Sequence, residues 1–190
     1  MVRALAAVLL VGAATAADPS HESARQKIAL VEEDRAAPGA RIWLSVQELN
    51  AYARDEVSEV VPRGLREPRL ELGAGTATGS AVIDFLQVRE LKGPPPNALV
   101  AWFLSGEKPV RAAASIQSGR GRATVYVQQV TVAGVTARGA VLEFLIDHFL
   151  LPFYPEAKVG RPFDLKHRVD RFEIGPAGVT VVIAGKGGTR

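Results

Sequence analysis

A short apolar strand that runs directly into an amphipathic helix constrains the fold of this chain more than any other stretch. The strand is Ile42 to Leu44, and the helix continues to Pro62, where the proline ring cannot fit a helix interior. Ser45 stands between the two, and Glu48 follows three residues later, which is the spacing of a capping box. The sequence therefore predicts a helix that begins after Ser45 and over which the following strands fold.

The composition is that of one globular domain with a real core. The chain has 190 residues, of which 47% are hydrophobic and 23% charged. Its formal net charge of +3 is spread among acidic residues, which is weak support for a nucleic-acid partner, and none is expected. The chain contains no cysteine, so stability must come from packing rather than from disulfides.

Residues 1–16 have the layout of a cleavable signal peptide. Arg3 supplies the positive charge, 4–11 form an apolar run, and Ala14 to Ala16 offer the small residues that a signal peptidase accepts. An uncleaved anchor is the alternative, but a spanning helix needs roughly 20 apolar residues, more than this run contains. We expect an exported protein, periplasmic or secreted, with one domain over 17–190 that opens with a polar leader at 17–40.

Alternating apolar residues predict three antiparallel hairpins. Their paired strands are expected at 70–72 with 76–88, at 109–118 with 122–132, and at 166–174 with 179–184. The apolar face changes at Gln128 and Gln129, which predicts a β-bulge or a strong bend. Adjacent antiparallel pairs without a βαβ rhythm favour the α+β class.

Three further stretches carry helical signals. Ser23 to Arg35 predicts a marginal helix with a thin apolar stripe, and a strongly apolar pattern predicts a long helix from Thr136 or Arg138 to Leu151. The run 99–104 is too short to decide between a two-turn helix and a buried strand, and the following glycine favours the helix.

Catalytic chemistry finds little support in the sequence. The one cluster on a single helix, Glu143, Asp147 and His148, is conceivable as a metal or acid–base site, but the solvated stripe of an apolar helix explains it better. Neither a nucleophile elbow nor a phosphate-binding glycine loop is present in the sequence. We therefore expect no enzyme, no metal and no cofactor.

One face of the predicted sheet carries unusually small residues. Ala77, Gly79 and Ala81 share a face on one strand, and Ala112 and Ala114 share a face on another. Helices could pack closely against these positions, as dense interiors require. Alternatively, the space above them is a cavity for an apolar ligand.

The segment Ile-Trp-Leu-Ser-Val-Gln-Glu-Leu-Asn-Ala-Tyr at 42–52 resembles an opening motif of small exported bacterial lipid-binding proteins of the LmeA kind. The fold of that group is similar to one half of the tubular lipid-binding (BPI-like) superfamily. The resemblance implies a strongly curved antiparallel sheet wrapped around one or two long helices, with acyl chains held inside. It also gives a reason for the small residues and for the bend at Gln128.

These observations lead to one preferred functional hypothesis. The protein is expected to bind or shuttle a lipid or other long apolar ligand, without catalysis and with possible peripheral contact with a membrane. The alternative is a structural or interaction protein of the cell envelope with a filled core and a partner docked on an exposed sheet edge or on the loop of Phe153 and Tyr154. The apolar lining of the ligand cavity is expected to comprise Leu49, Tyr52, Ala53, Ala81, Ile83, Phe85, Ala114, Leu145 and Phe149.

Overall fold

The computed structural model describes residues 18–60, 64–85, 87, 105–139, 142–143, 147 and 159–186, with the side chains of 56–60 excepted. The elements of this part are, in chain order, α1 (Pro19–Glu32), β1 (Arg41–Ser45), α2 (Val46–Val60), β2 (Leu65–Gly73), β3 (Thr76–Asp84), β4 (Glu107–Gly119), β5 (Arg122–Val132), β6 (Val135–Ala137), β7 (Phe163–Asp164), β8 (Val169–Gly175) and β9 (Gly178–Ile183).

The capping box predicted between β1 and α2 is confirmed. The Glu48 backbone N–H donates to Ser45 Oγ at 3.1 Å, and Glu48 Oε2 accepts from the Ser45 backbone N–H at 2.8 Å. Each residue thus satisfies a backbone donor of the other, as the first helical turn requires. The strand ends and the helix begins at this reciprocal pair.

Helix α1 begins earlier than the sequence predicted and is part of the folded core. The Asp18 side chain accepts from the Ser20 backbone N–H at 2.9 Å, and Pro19 occupies the first turn, where a missing N–H costs nothing. Ala24 is fully buried, and the helix ends at Glu32. The segment expected to be a polar leader therefore contributes a well-capped helix to the protein interior.

The smaller sheet has the antiparallel order β1-β9-β8 and covers the first hydrophobic cluster. Leu44, Val181 and Ile183 face α1 in this cluster. Gly178 stands opposite Ser45, where a Cβ would lie 2.2 Å from the Leu44 carbonyl oxygen. Only glycine fits there without movement of the backbone.

The larger sheet is an antiparallel arrangement of six strands, β2-β3-β4-β5-β6, with β7 paired to β5. On β5 the register skips Gln128, because Ala113 pairs with Gln129 whereas Ala114 pairs with Val127. This irregularity confirms the β-bulge predicted from the change of apolar face.

The two sheets meet where β8 lies against the hairpin ends of the larger sheet. Ser118 Oγ accepts from the Phe172 backbone N–H at 2.8 Å and donates to the Phe172 carbonyl oxygen at 3.1 Å. The backbone N–H of Gly75 donates to the Ile174 carbonyl oxygen at 3.0 Å. The outer edge of β8 is thereby hydrogen-bonded to turns and side chains, which protects it from pairing with another chain.

The α+β class and the antiparallel hairpins are confirmed, but the arrangement differs from the expected wrapped sheet. In the part of the chain that the structure describes, the strands form two sheets, neither is strongly curled or closed, and no long helix is wrapped. Helix α2 lies at the edge of the larger sheet, because Asn50 bonds to β2. None of the described helices is both long and apolar enough to cross a membrane.

Several predictions fall on residues outside this description. These are the signal peptide at 1–16, the run 99–104, most of the long helix ending at Leu151, and the loop of Phe153 and Tyr154. A start of that helix at Thr136 is wrong, because Thr136 lies in β6 and pairs with Thr131 of β5. The Glu143 backbone N–H donates to the Gly139 carbonyl oxygen at 3.0 Å, a helical spacing that agrees with a start near Arg138.

Candidate functional site

The small residues predicted on the larger sheet lie together and form a trough. Ala77 and Gly79 of β3 pair directly with Ala114 and Ala112 of β4. Because residues two apart share a face of a strand, all four lie on the same side of the sheet. Gly79 is exposed, and within the described part of the chain no heavy atom lies within 4 Å of the point where its Cβ would stand.

Larger side chains flank this trough on both neighbouring strands. Leu70 and Leu72 of β2 pair with Gly79 and Ala77, and Val130 and Val127 of β5 pair with Ala112 and Ala114. Each row across these four strands therefore has a large side chain on β2 and on β5 and a small residue on β3 and on β4. The depression runs along β3 and β4, and the stretch from Ala77 to Ala81 is about 14 Å long at strand rise.

A packed apolar cluster closes one end of the trough. Phe85, Val130 and Val132 are buried in it, and Leu142 of the predicted long helix packs against the cluster. The cluster contains large side chains in close contact, so this end of the sheet face is ordinary core. Ala112, Val127 and Val130 take part in this packing, so the cluster overlaps one end of the trough.

A groove of about 1150 Å³ lies between α2 and the other, polar face of the larger sheet. Asn50 fixes α2 beside it: the Asn50 amide donates to the Leu70 carbonyl oxygen at 2.9 Å and accepts from the Leu70 N–H at 2.7 Å. The charged residues that border the groove are Asp18, Arg54, Glu67, Arg69, Glu71 and Arg111.

Two of the three arginines in the groove are paired. Arg111 Nη2 lies 2.6 Å from Glu71 Oε2, and Arg54 Nη2 lies 3.4 Å from Asp18 Oδ2. The Arg69 side chain makes no ion pair or hydrogen bond within the residues that the structure describes. The groove is therefore a polar site, unlike the apolar trough, and among the described residues one of its guanidinium groups has no charged partner.

The buried Glu48 between α1 and α2 is a structural group. Its Oε1 accepts from Ser23 Oγ and from Lys27 Nζ, both at 2.5 Å, while its Oε2 accepts from Ser45. Burial raises the pKa of Glu48, but the donors from Lys27, Ser23 and Ser45 outweigh it and lower the pKa to about 2. The bonds from Ser23 and Lys27 hold α1 on α2, and the bonds from Ser45 cap α2, so both carboxylate oxygens are engaged.

The nine residues expected to line one cavity are divided among several places. Leu49 and Tyr52 pack against the first hydrophobic cluster, under α1 and the smaller sheet. Ile83 and Phe85 belong to the second cluster. Of the other five, Ala114 lies in the trough, Ala81 lies at its end and on the border of the groove, and Ala53 is half-buried on α2. Leu145 lies outside the described residues.

Phe149 also lies outside the described residues, as does His148 of the conceivable acid–base cluster. The other two members of that cluster, Glu143 and Asp147, are exposed. Among the described residues, no group of three or more potential ligands is placed to hold a metal ion. Arg69 and Ser80 of the groove were not among the site residues predicted from the sequence.

Comparison with known proteins adds no relative to this picture. No protein-family model, no curated protein and no solved structure gives a significant match to the chain. The functional interpretation therefore rests on the residues of this chain and on the geometry of its trough and groove.

Proposed function

We propose that this protein is an exported, non-catalytic carrier that binds a lipid or another long apolar ligand. The observation that carries the proposal is the trough of Ala77, Gly79, Ala112 and Ala114 between rows of larger apolar side chains. An acyl chain laid along it would bury apolar surface on three sides. That burial is worth about 25 cal/mol per Å² before the costs of ordering the ligand.

We also propose that the fold corresponds to one half of a tubular lipid-binding protein. The capping box between β1 and α2 and the antiparallel hairpins that follow it support this relationship. The long helix expected up to Leu151 would cover the trough, since Leu142 already packs against the cluster at its end. A ligand would then lie between helix and sheet.

A contact with a membrane surface would let such a carrier exchange its ligand. Trp43 is 51% exposed on β1, and Lys27 Nζ stands 5.9 Å from the centre of its ring. An exposed tryptophan beside a cation suits the boundary between water and lipid head groups. Replacement of Trp43 by Ala is expected to reduce sedimentation with phosphatidylglycerol vesicles, and unchanged sedimentation would remove this contact.

The alternative function is that of a structural or interaction protein of the envelope. Val135 is 60% exposed on the edge strand β6, which could add a strand from a partner. The edges of β2 and β8, by contrast, are bonded by Asn50 and Ser118. Among the described strands, β6 and β1 are the outer strands that remain for a partner.

Native mass spectrometry of the protein purified from its own cells, followed by solvent extraction, tests the carrier directly. A stoichiometric apolar ligand is the expected result. Gly79→Leu should fill the trough and abolish this ligand without loss of fold, because nothing described stands within 4 Å of the new Cβ. Thr78→Leu, on the opposite face of the same strand, is the matched control and should retain it.

Two outcomes would count against the carrier. One is a clean apo mass together with no thermal stabilisation on adding phospholipid. The other is equal ligand occupancy in the Gly79 and Thr78 variants, which would place the ligand elsewhere. Either result would favour the envelope interaction protein with its partner at β6 or β1.

A further inference from the structure

A row of polar side chains crosses the floor of the groove from strand to strand. Arg69 of β2 pairs with Ser80 of β3, Ser80 pairs with Arg111 of β4, and Arg111 pairs with Thr131 of β5. Neighbouring strands lie about 4.8 Å apart, so the two arginine backbones stand about 10 Å apart with Ser80 between them. Two long guanidinium side chains can therefore converge over one hydroxyl.

The two arginines differ in whether their side-chain N–H donors already have a partner. Arg111 gives one N–H, on Nη2, to Glu71 and has further donors on its planar fork. Arg69 makes no ion pair within the part of the chain that the structure describes, although it lies in a concave site. A guanidinium in a groove beside a second arginine and a serine is suited to an oxyanion with several acceptor oxygens.

We propose that Arg69, Ser80 and Arg111 bind the phosphoryl group of a ligand in this groove. Arg69 would donate two N–H groups to two phosphoryl oxygens, Arg111 would donate its remaining N–H groups, and the Ser80 hydroxyl would donate between them. This site goes beyond the carrier function and does not depend on it. A small phosphate compound and a phospholipid head group present the same chemistry, and the experiment distinguishes them.

Glu67 opposes the binding of an anion, so its substitution offers a second test of the site. It borders the same groove, in the irregular stretch of β2 between Arg66 and Arg69 where the register shifts. Its carboxylate repels a phosphoryl group that approaches Arg69. Removal of this charge by Glu67→Gln should therefore tighten phosphate binding several-fold.

Isothermal titration of the full protein at about 0.1 M chloride, with a Debye length of about 10 Å, tests the site with two probes. They are inorganic phosphate and short-chain phosphatidic acid below its micellar concentration. Arg69→Gln is expected to weaken binding at least about tenfold, as loss of a charge-assisted pair does. Arg66→Gln removes the same charge from the same strand, but Arg66 bonds Glu107 rather than bordering the groove, so it should bind like the wild type.

The outcomes separate the sources and can overturn the site. Saturable binding of inorganic phosphate with this variant pattern supports a small phosphate compound as ligand. Saturable binding of phosphatidic acid alone, with the same pattern, supports a lipid head group. No saturable binding of either probe, or an equal loss of affinity in Arg69→Gln and Arg66→Gln, would overturn the proposal. Neither result bears on the binding of an apolar ligand in the trough.

Discussion

The side-chain amide of Asn50 forms the two hydrogen bonds to Leu70 that a neighbouring strand would otherwise form. It donates to the Leu70 carbonyl oxygen and accepts from the Leu70 N–H, and it also donates to the Val46 carbonyl oxygen of its own helix. The edge strand β2 is therefore satisfied by a helix rather than by another chain. The same contact sets one wall of the groove.

Replacement of Asn50 by Ala should destabilise the protein by about 1–2 kcal/mol, because two backbone groups of Leu70 lose their protein partners. Urea denaturation measures the change. Gln47→Ala, an exposed position on the same helix, is the control and should change the free energy of unfolding by less than about 0.5 kcal/mol. Equal effects of both substitutions would show that Asn50 does not anchor α2.

Acid should weaken the contact between α1 and α2 through Glu48. The pKa of Glu48 is lowered from 4.5 to about 2 in the folded protein, so its contribution is complete above pH 4.5 and is lost as the pH falls towards 2. The shift corresponds to about 3 kcal/mol of unfolding free energy. Urea unfolding between pH 5 and pH 2 should show this loss, and Glu48→Gln should flatten that part of the profile.

Glu32→Gln supplies the matched control for the pH experiment, since Glu32 is an exposed carboxylate on α1. It should leave the pH profile unchanged. A profile that stays as steep in Glu48→Gln as in the wild type would mean that other carboxylates carry the acid sensitivity.

Gly178→Ala should destabilise the smaller sheet by about 1–3 kcal/mol, because the new Cβ would stand 2.2 Å from the Leu44 carbonyl oxygen and the backbone must move. Thermal unfolding measures the change. Gly175→Ala is the matched control in the same hairpin, since Gly175 pairs with Gly178 and has nothing described within 4 Å of its Cβ position. A milder effect at 178 than at 175 would contradict the close approach.

Ser118→Ala should loosen β8 from the larger sheet. The Phe172 N–H and carbonyl oxygen would both lose their partner, at a cost of about 1–2 kcal/mol. Amide hydrogen exchange at Phe172 is the direct measurement, and its protection should fall. Ser115→Ala, three residues earlier on the same strand, should leave that amide protected, and similar exchange in both variants would mean that another contact seals β8.

Local patterns in the sequence predicted much of the fold correctly. The alternation of apolar with polar residues predicted the hairpins, and the change of face at Gln128 predicted the bulge on β5. The apolar face of β3 and β4 was also predicted, because a period of two fixes which residues share a face. The same patterns could not predict that the strands form two sheets, because the sequence of a strand does not indicate which distant strand it pairs with.

The residues predicted to form one apolar lining lie in several places, as far as the structure describes them. Tyr52 faces the cluster under α1, whereas Phe85 faces the cluster of the larger sheet. Both carry the same signal in the sequence, an apolar residue on the buried face of its element. Which other element covers that face depends on the docking of α2 at the edge of β2, and a helical period alone does not specify it.

The sequence by itself determined the capping box of Ser45 and Glu48, because both partners lie within one helical turn and backbone geometry brings them together. Only the tertiary structure decided that the same carboxylate also binds Ser23 and Lys27, and that Arg69, Ser80 and Arg111 form one row. These residues are far apart in the chain. Their proximity is fixed by helix docking and strand register, which are properties of the whole fold rather than of any single segment.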